Sequence, residues 1–118
     1  MTVVTSEVFS LTLIAALAPP LLELIDVTLK WSRNIYAETL LMSMAPEGQP
    51  ATTDAGLTAL RETLDAWHIP AESYLARDGS GLSRYDYVSA DALLALLTHV
   101  WSEPKLADTF KSTLQWPA

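Results

Sequence analysis

The 118-residue chain carries fourteen acidic and seven basic residues, a formal charge of −7, and half of its residues are hydrophobic. That balance argues against a nucleic-acid partner, which needs clustered Lys and Arg, and against docking on an anionic membrane surface; no apolar run reaches the ~20 residues of a spanning helix. The absence of cysteine excludes disulfides, thiolate metal sites and a Cys nucleophile.

In chain order, residues 1–16 form an apolar opening segment of unclear role. Leu11 to Ala18 resembles a short signal h-region, with Ala16-Leu17-Ala18 in place of a cleavage site. No Lys or Arg precedes it, the first being Lys30, and Glu7 stands where positive charge belongs. An ordinary buried helix or strand is the expectation there. Pro19-Pro20 then breaks the pattern, and a helix starting at about Pro20 is expected from Leu21, Leu24, Ile25 and Leu29. Trp31 to Ile35 interrupts it. A second helix follows over Ile35–Met44, with Ala37, Leu40, Leu41 and Met44 on one side, and Pro46–Pro50 reads as a loop.

Thr53 or Asp54 can cap the third helix, whose stripe is Leu57, Leu60, Leu64 and Trp67, ended by Pro70. Asp78-Gly79-Ser80-Gly81 is a turn. Ser89 caps a helix over Ala90–Trp101, with Asp91 at the positive end of its dipole. Its residues Leu93, Leu94, Leu97, Val100 and Trp101 are assigned to the core. A last helix over Pro104–Leu114 is expected to bury Leu106, Phe110 and Leu114. Strand-like alternation is confined to Thr2–Leu13 and to the region of Tyr74-Leu75. The expected fold is all-α, four to five helices in one domain over 1–118, with a structured loop at 76–86.

Two segments are more specific than periodicity. One is Ala18-Pro-Pro-Leu-Leu-Glu-Leu-Ile25 followed by Lys30-Trp-Ser-Arg-Asn-Ile-Tyr-Ala-Glu38; the other is Asp78-Gly-Ser-Gly-Leu-Ser-Arg84 followed by Val88-Ser-Ala-Asp-Ala-Leu-Leu94. In order and spacing they resemble the penicillin-binding D-alanyl-D-alanine carboxypeptidase/endopeptidase family of serine peptidases, over about residues 17–115. The resemblance implies the helical lobe of a penicillin-binding protein, facing a catalytic sheet, and a bacterial, periplasmic setting.

The family's chemistry uses a Ser-x-x-Lys nucleophile and base, a Ser-x-Asn motif and a Lys-Thr-Gly strand. Attack on an amide or β-lactam carbonyl needs an activated nucleophile, a proton relay and fixed donors for the oxyanion. Only Ser32-Arg33-Asn34 matches, with Arg33 where Asp or Asn is common. By resemblance Ser32 relays a proton and Asn34 contacts substrate, so both are the candidate catalytic and substrate-binding residues. Read from the residues alone, they cap and break a helix pair. Ser102-Glu-Pro-Lys105 fits Ser-x-x-Lys as a string, but follows Ser32 and contains a proline. Lys111-Ser-Thr113 lacks the glycine and sits in a helical pattern. Ser80 and Ser83 read as turn residues.

Other chemistry rests on the two histidines. Asp65 lies at i−3 from His68, and Glu103 at i+4 from His99. Two His and a carboxylate are the protein share of a catalytic zinc site, so His68, His99 and Glu103 are candidate zinc ligands, the two histidines meeting across a subunit interface. A helical lobe without its sheet also leaves apolar surface that a homodimer can cover. Three functions follow as expectations: hydrolysis of β-lactams or related acyl compounds by a metal-assisted route, a non-catalytic remnant, or a self-associating interaction domain.

Overall fold

A computed structural model describes residues 20–114; the strand-like reading of Thr2–Leu13 and the apolar opening segment lie outside them. Helix α1 spans Leu21–Trp31, α2 Asn34–Met42, α3 Thr53–Ala66, α4 Ala90–Ser102 and α5 Pro104–Thr113. A 3-10 turn over Ala71–Ser73 leads into β1 (Tyr74–Leu75), which pairs antiparallel with β2 (Tyr87–Val88), Tyr74 opposite Val88 and Leu75 opposite Tyr87. The all-α expectation holds, and Tyr74-Leu75 is the strand that the alternation marked. The loop at 76–86 is the connection of this hairpin.

The helix limits follow local chemistry. Pro20 precedes α1, and its carbonyl accepts from Glu23 and Leu24. Thr52, rather than Thr53 or Asp54, caps α3, its hydroxyl accepting from Ala55 N–H at 3.2 Å. Ser89 caps α4 as expected, accepting from Ala92 N–H at 3.1 Å. Pro104 occupies the first turn of α5, where its missing N–H costs nothing. Helix α2 starts at Asn34 and stops at Met42, two residues before Met44.

Packing pairs α2 with α3, α4 with α5, and α1 with both α5 and α2. Among the described residues the buried hydrophobic core is small: Leu41, Leu57, Ile69, Ala92, Val100 and Ala107. Here two assignments need correction. Leu93, Leu94, Leu97 and Trp101 lie outward, and α4 turns Ala92 and Val100 inward instead. Helix α5 buries Ala107 and Thr113, leaving Leu106 and Leu114 exposed. Both helices carry apolar residues on more than one face, and small side chains on the inner face allow the closest helix approach, so periodicity alone did not choose between faces. Between α3, the hairpin and α4 lies an apolar cavity of 640 Å³ lined by Leu60, Leu64, Trp67, Tyr74, Val88 and Leu96.

Helix α3 ends in a Schellman turn. Ile69 N–H donates to Leu64 O and His68 N–H to Asp65 O, both at 2.9 Å. The residue required to adopt the left-handed backbone is His68, at φ 60°, where glycine is cheapest. We expect His68→Gly to raise unfolding stability by about 0.5–1 kcal/mol in urea titration, the part of the left-handed penalty that survives the added chain entropy of glycine.

Candidate functional site

Ser32, Arg33 and Asn34 form the tight connection between α1 and α2. Ser32 adopts the left-handed conformation (φ 53°, ψ 51°), and Arg33 is extended. Arg33 N–H closes the turn on Thr28 O at 3.2 Å. Asn34 opens α2. Every residue from Trp31 to Tyr36 is exposed, so the motif presents its side chains outward, flanked by Trp31, Ile35 and Tyr36. An apolar groove of 460 Å³ between α1 and α2, lined by Leu21, Leu24, Ile35, Tyr36 and Leu40, runs from this end.

One turn beyond Asn34, Glu38 ties the motif helix to the second segment of the resemblance. Its Oε2 accepts from Gly79 N–H at 2.8 Å and Ser80 N–H at 3.2 Å, and its Oε1 from the Thr53 hydroxyl at 3.3 Å. Contact is closest at glycines. A Cβ on Gly79 would lie 2.7 Å from Ala37 O and 2.9 Å from Leu41 Cβ; one on Gly56 would lie 2.2 Å from Leu41 O. Helix α2 is therefore pressed between α3 and the 76–86 loop, and its first residue, Asn34, is held with it. Sequence reasoning gave Glu38 no role. The available signals were its place at the end of the Lys30–Glu38 segment of the resemblance and Gly56, a glycine inside a helical pattern, which marks a close packing partner.

The loop is also tied internally. Asp78 Oδ1 accepts from Gly81 N–H at 2.8 Å and Oδ2 from Ser83 N–H at 2.9 Å. Asp86 Oδ1 accepts from Arg77 N–H at 2.6 Å, while its Oδ2 is buried without a donor. Ser80 and Ser83 hydroxyls accept from Leu82 and Tyr85 N–H, as turn residues do. Desolvation pushes the Asp78 carboxyl up, but the hydrogen bonds it accepts, those from Gly81 and Ser83 N–H among them, outweigh it and hold Asp78 below its ordinary value of 3.8.

The other sequence candidates separate. Ser102 ends α4, its hydroxyl donating to His99 O at 2.8 Å, and Lys105 belongs to α5; the two share no helical turn. His99 stacks on Trp67, ring centroids 4.1 Å apart and planes at 17°. His68 forms the turn after α3. Among the described residues no three His, Cys, Asp or Glu side chains gather closely enough to hold a metal ion. Within one chain, therefore, His68, His99 and Glu103 do not gather into such a group.

Residues 2–115 match the model of the D-Ala-D-Ala carboxypeptidase 3 (S13) family. The penicillin-sensitive carboxypeptidase A of Dictyostelium discoideum is 37% identical over 92 residues, 73% of this chain and 17% of that protein. The D-alanyl-D-alanine carboxypeptidase of Actinomadura sp. (strain R39) is 37% identical over 93 residues, 78% of this chain and again 17% of the relative. The match over residues 2–115 makes this helical unit one of the D-Ala-D-Ala carboxypeptidase type. The chain belongs to the D-Ala-D-Ala carboxypeptidase 3 (S13) family, and it spans about 17% of the length of these curated relatives.

Removing the Glu38 carboxylate strands two backbone donors at the α2–loop contact. We expect Glu38→Ala to cost about 1–3 kcal/mol, and Gly79→Ala a similar amount through overpacking, both read from chemical denaturation. Because Asp78 is held below 3.8 in the fold, its contribution to stability is complete above that pH and is lost as the pH falls through the folded value. Thermal unfolding of Asp78→Asn should start from a lower midpoint at pH 7 and fall less between pH 5 and pH 3 than that of the parent.

Proposed function

We propose that this chain forms the Ser-x-Asn wall of a cleft for D-alanyl-D-alanine peptides and β-lactams, and that on its own it binds such ligands without hydrolysing them. The observation that carries the reading is the backbone of Ser32. Among the described residues positive φ falls to Gly48, Gly81, His68 at a helix end, and Ser32, where a serine pays the left-handed penalty at an exposed turn. Strain of this kind is tolerated where the side chain is used. In the proposed cleft the Asn34 amide pairs with the substrate amide, and the Ser32 hydroxyl is placed to pass a proton toward a leaving group. The acyl-accepting serine and its lysine base have no counterpart in the 118 residues: Ser102 and Lys105 are split between two helices, and no Lys-Thr-Gly occurs.

The same backbone argument applies to His68, and favours a second reading. In it His68, His99 and Glu103 ligate zinc together with ligands of a second copy, and the metal-bound water hydrolyses a β-lactam. Family membership supports the substrate class of both readings; the local arrangement of residues favours the first.

Fluorescence anisotropy with a labelled penicillin tests the assignment. Saturable, reversible binding without a covalent adduct in mass spectrometry is expected, weakened at least about tenfold in Asn34→Ala and Ser32→Ala with helical content unchanged. No binding at ligand concentrations up to about 1 mM would overturn it, as would an acylated chain. Turnover of a chromogenic cephalosporin that is abolished by a chelator and by His99→Ala would transfer the assignment to the zinc reading.

A further inference from the structure

Helix α4 is apolar on two opposite faces. Ala92 and Val100 are buried in the fold. On the other face Ala90, Leu94, Leu97 and Trp101 follow one another at intervals of four, three and four residues, all exposed. That spacing is the a/d pattern of a helix–helix seam. Leu94 is 65%, Leu97 37% and Trp101 52% exposed, with Leu93 at 46% beside them. No charge interrupts the stripe. Leu97, Thr98, Trp101, Ser102 and Leu114 line an adjoining uncharged hollow of 550 Å³ between α4 and the end of α5.

We infer that this face is a self-association surface on which a second copy packs its own α4 antiparallel about a two-fold axis. A two-fold contact requires a patch that complements itself, and the register that sets Leu94 against Leu97 of the second copy also sets Trp101 against Ala90. The largest side chain of the stripe thereby meets the smallest, at both ends of the contact. Charge agrees with the same register. The Lys111 ammonium lies over the Trp101 ring, 4.3 Å from its centroid. A Trp101–Ala90 contact therefore brings Lys111 beside Asp91 of the second copy. A parallel pairing would stack Trp101 on Trp101 and Asp91 on Asp91. Area agrees as well: Leu93, Leu94, Leu97, Trp101 and Leu114 are each about half exposed, which at ~150–250 Å² per large side chain gives roughly 400–500 Å² of apolar surface per copy. With its polar rim this approaches the ~800 Å² per partner of a standard interface, and the apolar part matches the ~300–600 Å² of the largest, often functional, patches on monomers.

Sedimentation of the whole 118-residue chain over about 1–100 µM tests the surface. A concentration-dependent dimer is expected, weakened at least about tenfold by Leu97→Asp. Asp91→Lys and Lys111→Glu should each weaken it, and the double variant should restore it, an outcome that loss of fold in either single variant does not produce. Because the chain has no cysteine, mixing Leu94→Cys with Leu97→Cys chains reads the register: the mixture should form a disulfide faster than either variant alone. A monomer at the highest concentration overturns the inference. So does a dimer indifferent to Leu97→Asp, or charge reversals that fail to compensate; capture of a different protein on this stripe with no dimer would reassign the face.

Discussion

The contact that organises this molecule is the close approach of helix α2 to two glycines. Gly56 in α3 and Gly79 in the hairpin loop come so near to the backbone of α2 that any Cβ would collide with Ala37 or Leu41. At the same junction Glu38 accepts both backbone donors of the loop and the hydroxyl of Thr53. A carboxylate that takes several donors in a partly shielded place gives a strong, directional tie. Since Asn34 is the first residue of α2, the motif is held through its helix. An exposed turn acquires a defined position in this way without burying the groups that a ligand would need.

Around that junction the fold is economical. Its core is a handful of residues, and α1, α4 and α5 keep extensive apolar surface open. The loop at 76–86 compensates through polar ties: Asp78 takes two N–H groups, Asp86 takes another, and the two-residue strands close its base. The chain belongs to the D-Ala-D-Ala carboxypeptidase 3 (S13) family over a stretch equal to about 17% of the relatives' length. Two of the three motif types of the resemblance have no match in the 118 residues, and among the described residues the histidines do not gather with a carboxylate into a metal-holding group within one chain.

Much of this was legible in the sequence, because it is local. Proline and the Ser and Thr caps delimit helices through hydrogen bonds within a turn, and the helix boundaries agree with that reading to a residue or two, except that α3 stops at Ala66, ahead of Pro70. The Ser-x-Asn string and the Asp-Gly-Ser-Gly turn were recognisable as strings of fixed order. What failed was the choice of face. Helix α4 offers Leu93, Leu94, Leu97 and Trp101 on one side and Ala92 and Val100 on the other; a rule that sends the larger apolar residues inward chooses wrongly when the neighbouring helix needs small ones. Glu38 was invisible for a different reason, since its partners lie about forty residues away.

Sequence by itself therefore determined the helical class, the element order and the family, all of which depend on short-range geometry or on the order of residues along the chain. Only the tertiary structure decided which glycine is there for its φ and which for its lack of a side chain: Gly81 has a positive φ, whereas Gly79 makes room for α2. It alone showed that Ser32 stands in a left-handed turn, that Glu38 couples the two motifs, and that the leucines of α4 face outward. Each of these is settled by where distant backbones meet, and steric exclusion between segments far apart in sequence leaves no periodic trace in the residues that obey it.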